Sequence, residues 1–155
     1  MWVSTRAQYG MRALVEIARS GAEPISLKSV AQKQAISQHY LEQIVAVLRR
    51  HGLVDSVRGA QGGYRLARPM EEIAALEVVE LMEGSLAPVA CIDDSANCDH
   101  SGQCSTEGLW RRVDGAVRGV LAATTLADLV MEQGGEEERP LLQLEPLSAG
   151  FMRDQ

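Results

Sequence analysis

The stretch SQHYLEQIVAVLRRHGLVDSVRGAQGGYRLAR, residues 37–68, decides the fold. Its first half carries Leu41, Ile44, Val45 and Leu48 at three- and four-residue intervals, the stripe that a helix buries. Ser37 is placed to cap that helix, and Ile36 and Leu41 occupy the two positions of a hydrophobic staple. Gly52 suits the residue just past the helix end. The second half holds two short β-prone runs, LVDSV and YRLAR, on either side of RGAQGG. The glycines of that loop can take positive φ angles, so the unit predicts a β-hairpin.

Two more helices precede this stretch. Residues 5–19 place Tyr9, Ala13, Leu14, Ile17 and Ala18 on one face, with Arg6, Arg12, Glu16 and Arg19 mostly off it. The segment GAEPI breaks the helix, and Ser26 caps a short second one, SLKSVAQKQ, with Leu27, Val30 and Ala31 inward. Helix, helix, helix, hairpin is the order of a winged helix-turn-helix, whose third helix is the candidate for the major groove.

Downstream, EEIAALEVVELMEG (residues 71–84) reads as a fourth helix. A polar loop follows, and then a longer helix from about Ser105 to Ala123. The stripe of that helix is Leu109, Val113, Ala116, Val117 and Val120, and little of its own chain remains to cover it. A second copy would bury it, although folding back on helix one is the other way to do so. TTLADLVMEQ is a last short helix, capped by Thr124 or Thr125. The expected fold class is mainly α with a small β-hairpin wing: a winged helix-turn-helix plus a long dimerisation helix. The divisions are 1–84 for the DNA-binding domain, 85–104 for a cysteine loop, 105–133 for the dimerisation helix and its short successor, and 134–155 for a flexible tail.

At 155 residues, 46% apolar and 23% charged, the chain has the profile of a soluble globular protein. It contains no run of about 18 apolar residues, so no spanning helix or membrane partner is expected. No secretory signal opens the sequence, so a cytoplasmic location is expected. The net charge of −6 is unevenly divided. Residues 1–70 carry ten Lys/Arg against four Asp/Glu, whereas residues 71–155 carry five against seventeen. A basic N-terminal half on an acidic chain points to double-stranded DNA as the partner of that half. No nucleophile–base pairing, phosphate-binding glycine motif or paired carboxylates suggest an enzyme. An electron carrier would need neither the basic half nor the helix-turn-helix.

The first turns of the third helix present Ser37, Gln38, His39, Tyr40, Glu42 and Gln43. Hydroxyl and amide groups suit phosphates and base edges, and a glutamate can accept from the amino group of cytosine. In the wing, Arg58 and Arg65 bracket a loop in which Gly59, Gln61 and Gly62 let the backbone approach a groove, and Arg58 suits the minor groove.

All three cysteines lie in CIDDSANCDHSGQC, residues 91–104, among Asp, Ser, Asn and Gly. Packing does not require them there. Three cannot all pair within one chain, and without an export signal they read as reduced thiols available to a metal or to redox chemistry.

The 37–68 segment, the three-cysteine loop, Leu109–Trp110 after it and TTLADLV together resemble the IscR/NsrR-type winged-helix regulators, in register from about residue 3 to residue 132. The resemblance implies a homodimer joined by the long helix, an iron–sulfur cluster on Cys91, Cys98 and Cys104, and cluster-dependent control of transcription, expected to be repression, with RNA polymerase an indirect partner. It implies that Glu42 and Arg58 read DNA. The cluster expected is 2Fe–2S in preference to 4Fe–4S, responding to cluster status, oxygen, nitric oxide or redox state. Three cysteines leave one iron in need of another ligand. IscR-like proteins use a histidine three residues after the third cysteine, where this chain has Glu107. NsrR-like proteins recruit an aspartate near the partner's N-terminus, where this chain has Gln8, a poor ligand. Glu107 is the preferred fourth ligand, and His100, elsewhere in the loop, is the alternative. Two rival readings keep the fold but change the loop: a zinc site of three cysteines and His100, or a cluster-free regulator of the CymR-like kind that responds to thiol state or to a metabolic partner.

Overall fold

The computed structural model describes residues 3–94, 98 and 102–132. The proposed tail from residue 134 and His100 lie outside the described residues. Three helices come first: α1 Thr5–Arg19, α2 Leu27–Gln34 and α3 Gln38–Arg50. Each begins on a serine whose hydroxyl accepts an amide N–H of the first turn, Ser4 from Ala7, Ser26 from Ser29 and Ser37 from Tyr40, all at 3.1 Å. The helix ends are equally local in origin. Gly52 takes a φ of 71° just past α3, while Ala35 takes 53° between α2 and α3, an uncommon angle for a residue with a Cβ.

The hairpin follows, with β1 Val54–Val57 antiparallel to β2 Gly63–Leu66. Ile25 adds a bridge on the far side of β2, exchanging two backbone hydrogen bonds with Tyr64 at 2.9 and 2.8 Å, and so ties the wing to the start of α2. Gly59 bends the loop with a φ of 118°. Gly62 serves differently: a Cβ there would stand 2.2 Å from the Val57 carbonyl oxygen, so space rather than φ requires the glycine.

α1 is the central post, packed on α3, on α4 Ala75–Glu83 and on α7 Leu126–Glu132. Leu14, Ile17, Leu41, Ile44, Leu48 and Leu53 are fully buried around it. Fully burying side chains of this size stabilises by about 1.5–3 kcal/mol each relative to leaving them exposed. Between α4 and α7 stand α5 Ala90–Asp93, a single turn, and the long α6 Glu107–Ala123.

Two expectations are corrected. The fourth helix does not run from residue 71. A 3-10 turn occupies Met70–Glu72, and residues 73–75 are drawn into backbone pairing with residues 124–126. Ala75 N–H donates to Thr124 O and Leu126 N–H to Ile73 O, both at 2.8 Å, which delays the helix to Ala75. Glu16 is not off the buried face. It is 6% exposed, with Lys33 donating to it at 2.6 Å and Gln34 at 3.1 Å. Burial resists its ionisation, but the Lys33 ammonium and the Gln34 amide outweigh that and hold its carboxyl below the usual carboxylate range. At the last short helix, Thr125 is the cap. Its hydroxyl accepts from Asp128 N–H at 3.2 Å, and the Asp128 carboxylate accepts in return from Thr125 N–H at 2.9 Å.

Candidate DNA-reading head and cysteine loop

The exposed side of α3 carries Gln38, His39, Glu42 and Gln43, and Ser37 stands exposed at its start. Two contacts one turn apart order this face: Gln38 Nε2 donates to Glu42 Oε1 at 3.2 Å, and Gln43 Nε2 lies 3.2 Å from His39 Nε2. Both are weak, exposed and broken at little cost, so these groups can exchange each other for a base edge. Tyr40 differs from its neighbours. Its ring packs edge-on against Tyr9 of α1, with centroids 5.9 Å apart, and Arg12 stands over the other ring at 5.4 Å. This residue is half-buried and anchors the helix.

Arg12 also donates to the Gln34 side chain at 3.0 Å and to the Gln34 carbonyl. With Glu16 holding Lys33 and Gln34, α1 thus grips the end of α2 just ahead of the turn at Ala35. In the wing Arg58, Gly59, Gln61 and Arg65 are exposed and Gly62 is partly buried. Two further exposed cations, Arg49 and Lys28, border the helix-turn-helix and were not singled out by residue patterning. Arg49, exposed at the end of α3, donates to Ser56 of β1 at 3.4 Å, and Lys28 is exposed in the first turn of α2. Each places positive charge beside a helix end of the helix-turn-helix.

The thiols lie on the other side of α4 in the chain. Cys91 sits within α5, Cys98 in the loop, and Cys104 just before α6, all partly buried and none in a disulfide. Desolvation and the adjoining Cys98 thiol push the Cys91 thiol up. Cys104 is pulled down, because the Thr106 hydroxyl lies 3.2 Å from its sulfur and backbone amides add to it. Glu107 faces back into the loop. One of its carboxylate oxygens accepts from Arg111 at 2.7 and 3.0 Å, and the other accepts from Gly102 N–H at 3.1 Å. These bonds hold its carboxyl below the usual range. Among the described residues, no three His, Cys, Asp or Glu side chains already converge as a metal cage. Both Cys98 and Cys104 lie near enough to Cys91 to act on its thiol, while Cys104 and Glu107 are also engaged with Thr106, Arg111 and Gly102. The donor chemistry fits a thiophilic metal or an iron–sulfur cluster, since the loop offers three thiols and an adjacent carboxylate.

A winged helix-turn-helix followed by a long exposed helix defines the class, a DNA-binding regulator fold. Residues 3–132 match the Rrf2 family, described as iron-dependent transcriptional regulators. The chain belongs to that family. It is 41% identical over 139 residues to the transcriptional regulator CymR of Bacillus subtilis, covering 89% of this chain and 96% of that one. It is 35% identical over 134 residues to the transcriptional regulator IscR of Escherichia coli, covering 86% and 82%. Among solved structures, it resembles B. subtilis CymR, the global cysteine regulator, with a TM-score of 0.73 at 41% identity over 84% of this chain and 97% of that one. It also resembles T. potens IscR, with a TM-score of 0.70 at 39% identity over 92% and 93%. The protein is therefore a transcriptional regulator. Among the described residues no helix is long and apolar enough to cross a membrane.

Proposed function

We propose that this regulator is a homodimeric, cytoplasmic repressor whose hold on an inverted-repeat operator depends on an iron–sulfur cluster bound by Cys91, Cys98 and Cys104. The observation that carries the reading is the gathering of every thiol into one segment from α5 to the start of α6, outside the core and beside the helix that offers the dimer seam. Glu107 is the proposed fourth ligand, because its carboxylate already faces the loop at Gly102. To ligate, it must exchange that bond or its pair with Arg111. His100 is the alternative. A bound cluster supplies irons that respond to oxygen, nitric oxide or redox state, and 2Fe–2S is favoured over 4Fe–4S. The chain's own part is to present the thiols and to carry the state of the loop along α6 to the head.

DNA recognition falls to the exposed groups. Glu42 reads a base donor, since a carboxylate near phosphates is tolerable mainly where such a donor satisfies it. Ser37, Gln38, His39, Gln43 and the Tyr40 hydroxyl serve base edges and phosphates, with Lys28 and Arg49 as further phosphate contacts. Arg58, carried by Gly59, Gln61 and Gly62, enters the minor groove, and Arg65 supports it on the backbone. The dimer seam is the stripe Leu109, Val113, Ala116, Val117 and Val120. An apolar groove of about 440 Å³, lined by Ala7, Met11, Val79, Leu121 and Leu129, continues it onto the head.

A second reading has its own support. The three cysteines are free thiols within one short segment, as thiols that respond to oxidation would be, and the CymR relative is 41% identical. Protein purified without oxygen separates the readings. The cluster reading expects visible colour with matching iron and sulfide, lost in Cys91→Ala, Cys98→Ala and Cys104→Ala alike. Colourless protein with stoichiometric zinc would assign the loop to zinc. Protein free of metal, whose operator affinity changes on thiol oxidation, would assign it to thiol sensing. Glu107→Ala is expected to disturb the spectrum more than His100→Ala.

A further inference from the structure

The long helix meets its own head mainly along α4, through partly exposed side chains. No residue of α6 is buried. Its end is pinned by the backbone pairing of residues 73–75 with 124–126. Ahead of that pin stands Arg118, whose guanidinium donates from Nη1 to Glu80 of α4 and from Nε to both carboxylate oxygens of Asp114, at 3.2 and 3.0 Å. A planar guanidinium gripping two carboxylates fixes direction as well as distance. The apolar contact of α6 with α4 is partly exposed and non-directional, so the ion pair is what supplies direction. We propose that Arg118 is a positioning residue for operator spacing: by bracing α6 against Glu80, it fixes the tilt of the long helix on its own head and so the separation of the two recognition helices.

This inference rests on α6 being the dimer seam. The lever is long enough to matter. At 1.5 Å per residue α6 spans about 25 Å, so a tilt of about 10° moves its far end by about 4 Å. That displacement exceeds the rise of roughly 3.4 Å per base pair. The brace is partly exposed, and exposed ion pairs contribute little to folding stability. Its loss therefore leaves the fold standing and changes the angle.

The experiment uses full-length protein. A preferred inverted repeat is selected from random double-stranded DNA, and its half-site spacing is then changed by one and two base pairs. Wild type is expected to lose roughly tenfold in affinity per step, comparable to the loss from a mismatched base pair. Arg118→Met and Glu80→Gln should remain dimeric, with unchanged circular dichroism and affinity for the preferred site within roughly threefold, and their spacing penalty should fall to roughly two- to threefold. Arg118→Lys should restore part of the selectivity. Dimers of Arg118→Met and Glu80→Gln that keep the wild-type spacing penalty would overturn the bracing role alone. A wild-type protein that sediments as a monomer on its operator would overturn the dimer reading, and this inference with it.

Discussion

The head and the long helix use their apolar residues in opposite ways. In the head, α1 and α3 bury Leu14, Ile17, Leu41 and Ile44 almost completely. On α6, Leu109 is 45% exposed and Val120 51%. The sequence patterns of the two are equally amphipathic, so periodicity reports that a helix has an apolar face without reporting what covers it. The head is complete within one chain; the long helix carries an exposed apolar face that, in the proposed dimer, a second copy would complete.

The largest effect should come from attacking the complete region. Leu41→Ala removes a fully buried side chain from the recognition helix itself. Chemical denaturation of the variant should show a loss of about 2–5 kcal/mol. A loss below about 0.5 kcal/mol would mean that the head is not the packed unit described. The contrasting change is Val113→Asp with Val117→Asp on α6. In a single chain these positions are only half-covered, so the helix should persist. In the dimer each would bury an unpaired charge, which costs several kcal/mol. Sedimentation should find monomers where wild type is dimeric, and an unchanged dimer would place the seam elsewhere.

Glu16 sharpens the comparison within the head, as a charge in the packed region. Its carboxyl titrates lower in the folded chain than in the unfolded one. Its stabilisation is therefore complete above the ordinary carboxylate pKa and is lost as pH falls through the lower folded value. Glu16→Gln should cost about 1–3 kcal/mol at neutral pH and flatten the acid side of the stability profile. A variant with the same acid slope as wild type would remove Glu16 from the account.

The smallest effects on folding stability are expected on the DNA surface, where contacts are exposed. Glu42→Ala should relax preference at a cytosine-containing base pair by about 1–3 kcal/mol of discrimination. Arg58→Ala should weaken binding to all sequences and lower the salt slope by about one. Titrations against operator and scrambled DNA measure both, and full base discrimination in Glu42→Ala would show that α3 does not read sequence through this residue.

Much of the head was legible because its signals are local. The serine caps at 26 and 37 and the glycine at 52 act within a few residues, and stand where the pattern put them. What escaped depends on distant partners. Glu16 looks solvent-facing until Lys33 and Gln34 arrive from another helix. The delayed start of α4 depends on a pairing with residues some fifty positions later. Tyr40 looked like a free polar group, yet Tyr9 claims its ring. The cysteine loop announced itself by composition, since thiols in a polar segment have no packing role. Its internal bonds, Glu107 to Gly102 and Cys104 to Thr106, follow from how the loop closes and had no sequence signal.

The central claim is that the cysteine loop governs what the head does on DNA. The direct measurement is operator affinity and site choice for protein purified without oxygen, set beside the same protein stripped of metal and the Cys91→Ala/Cys98→Ala/Cys104→Ala variant. The account predicts that loaded protein differs from the other two by at least about tenfold in affinity, an allosteric coupling of ordinary size, or selects a different site. The stripped protein and the variant should behave alike. Equal affinity and equal site choice in all three would contradict it.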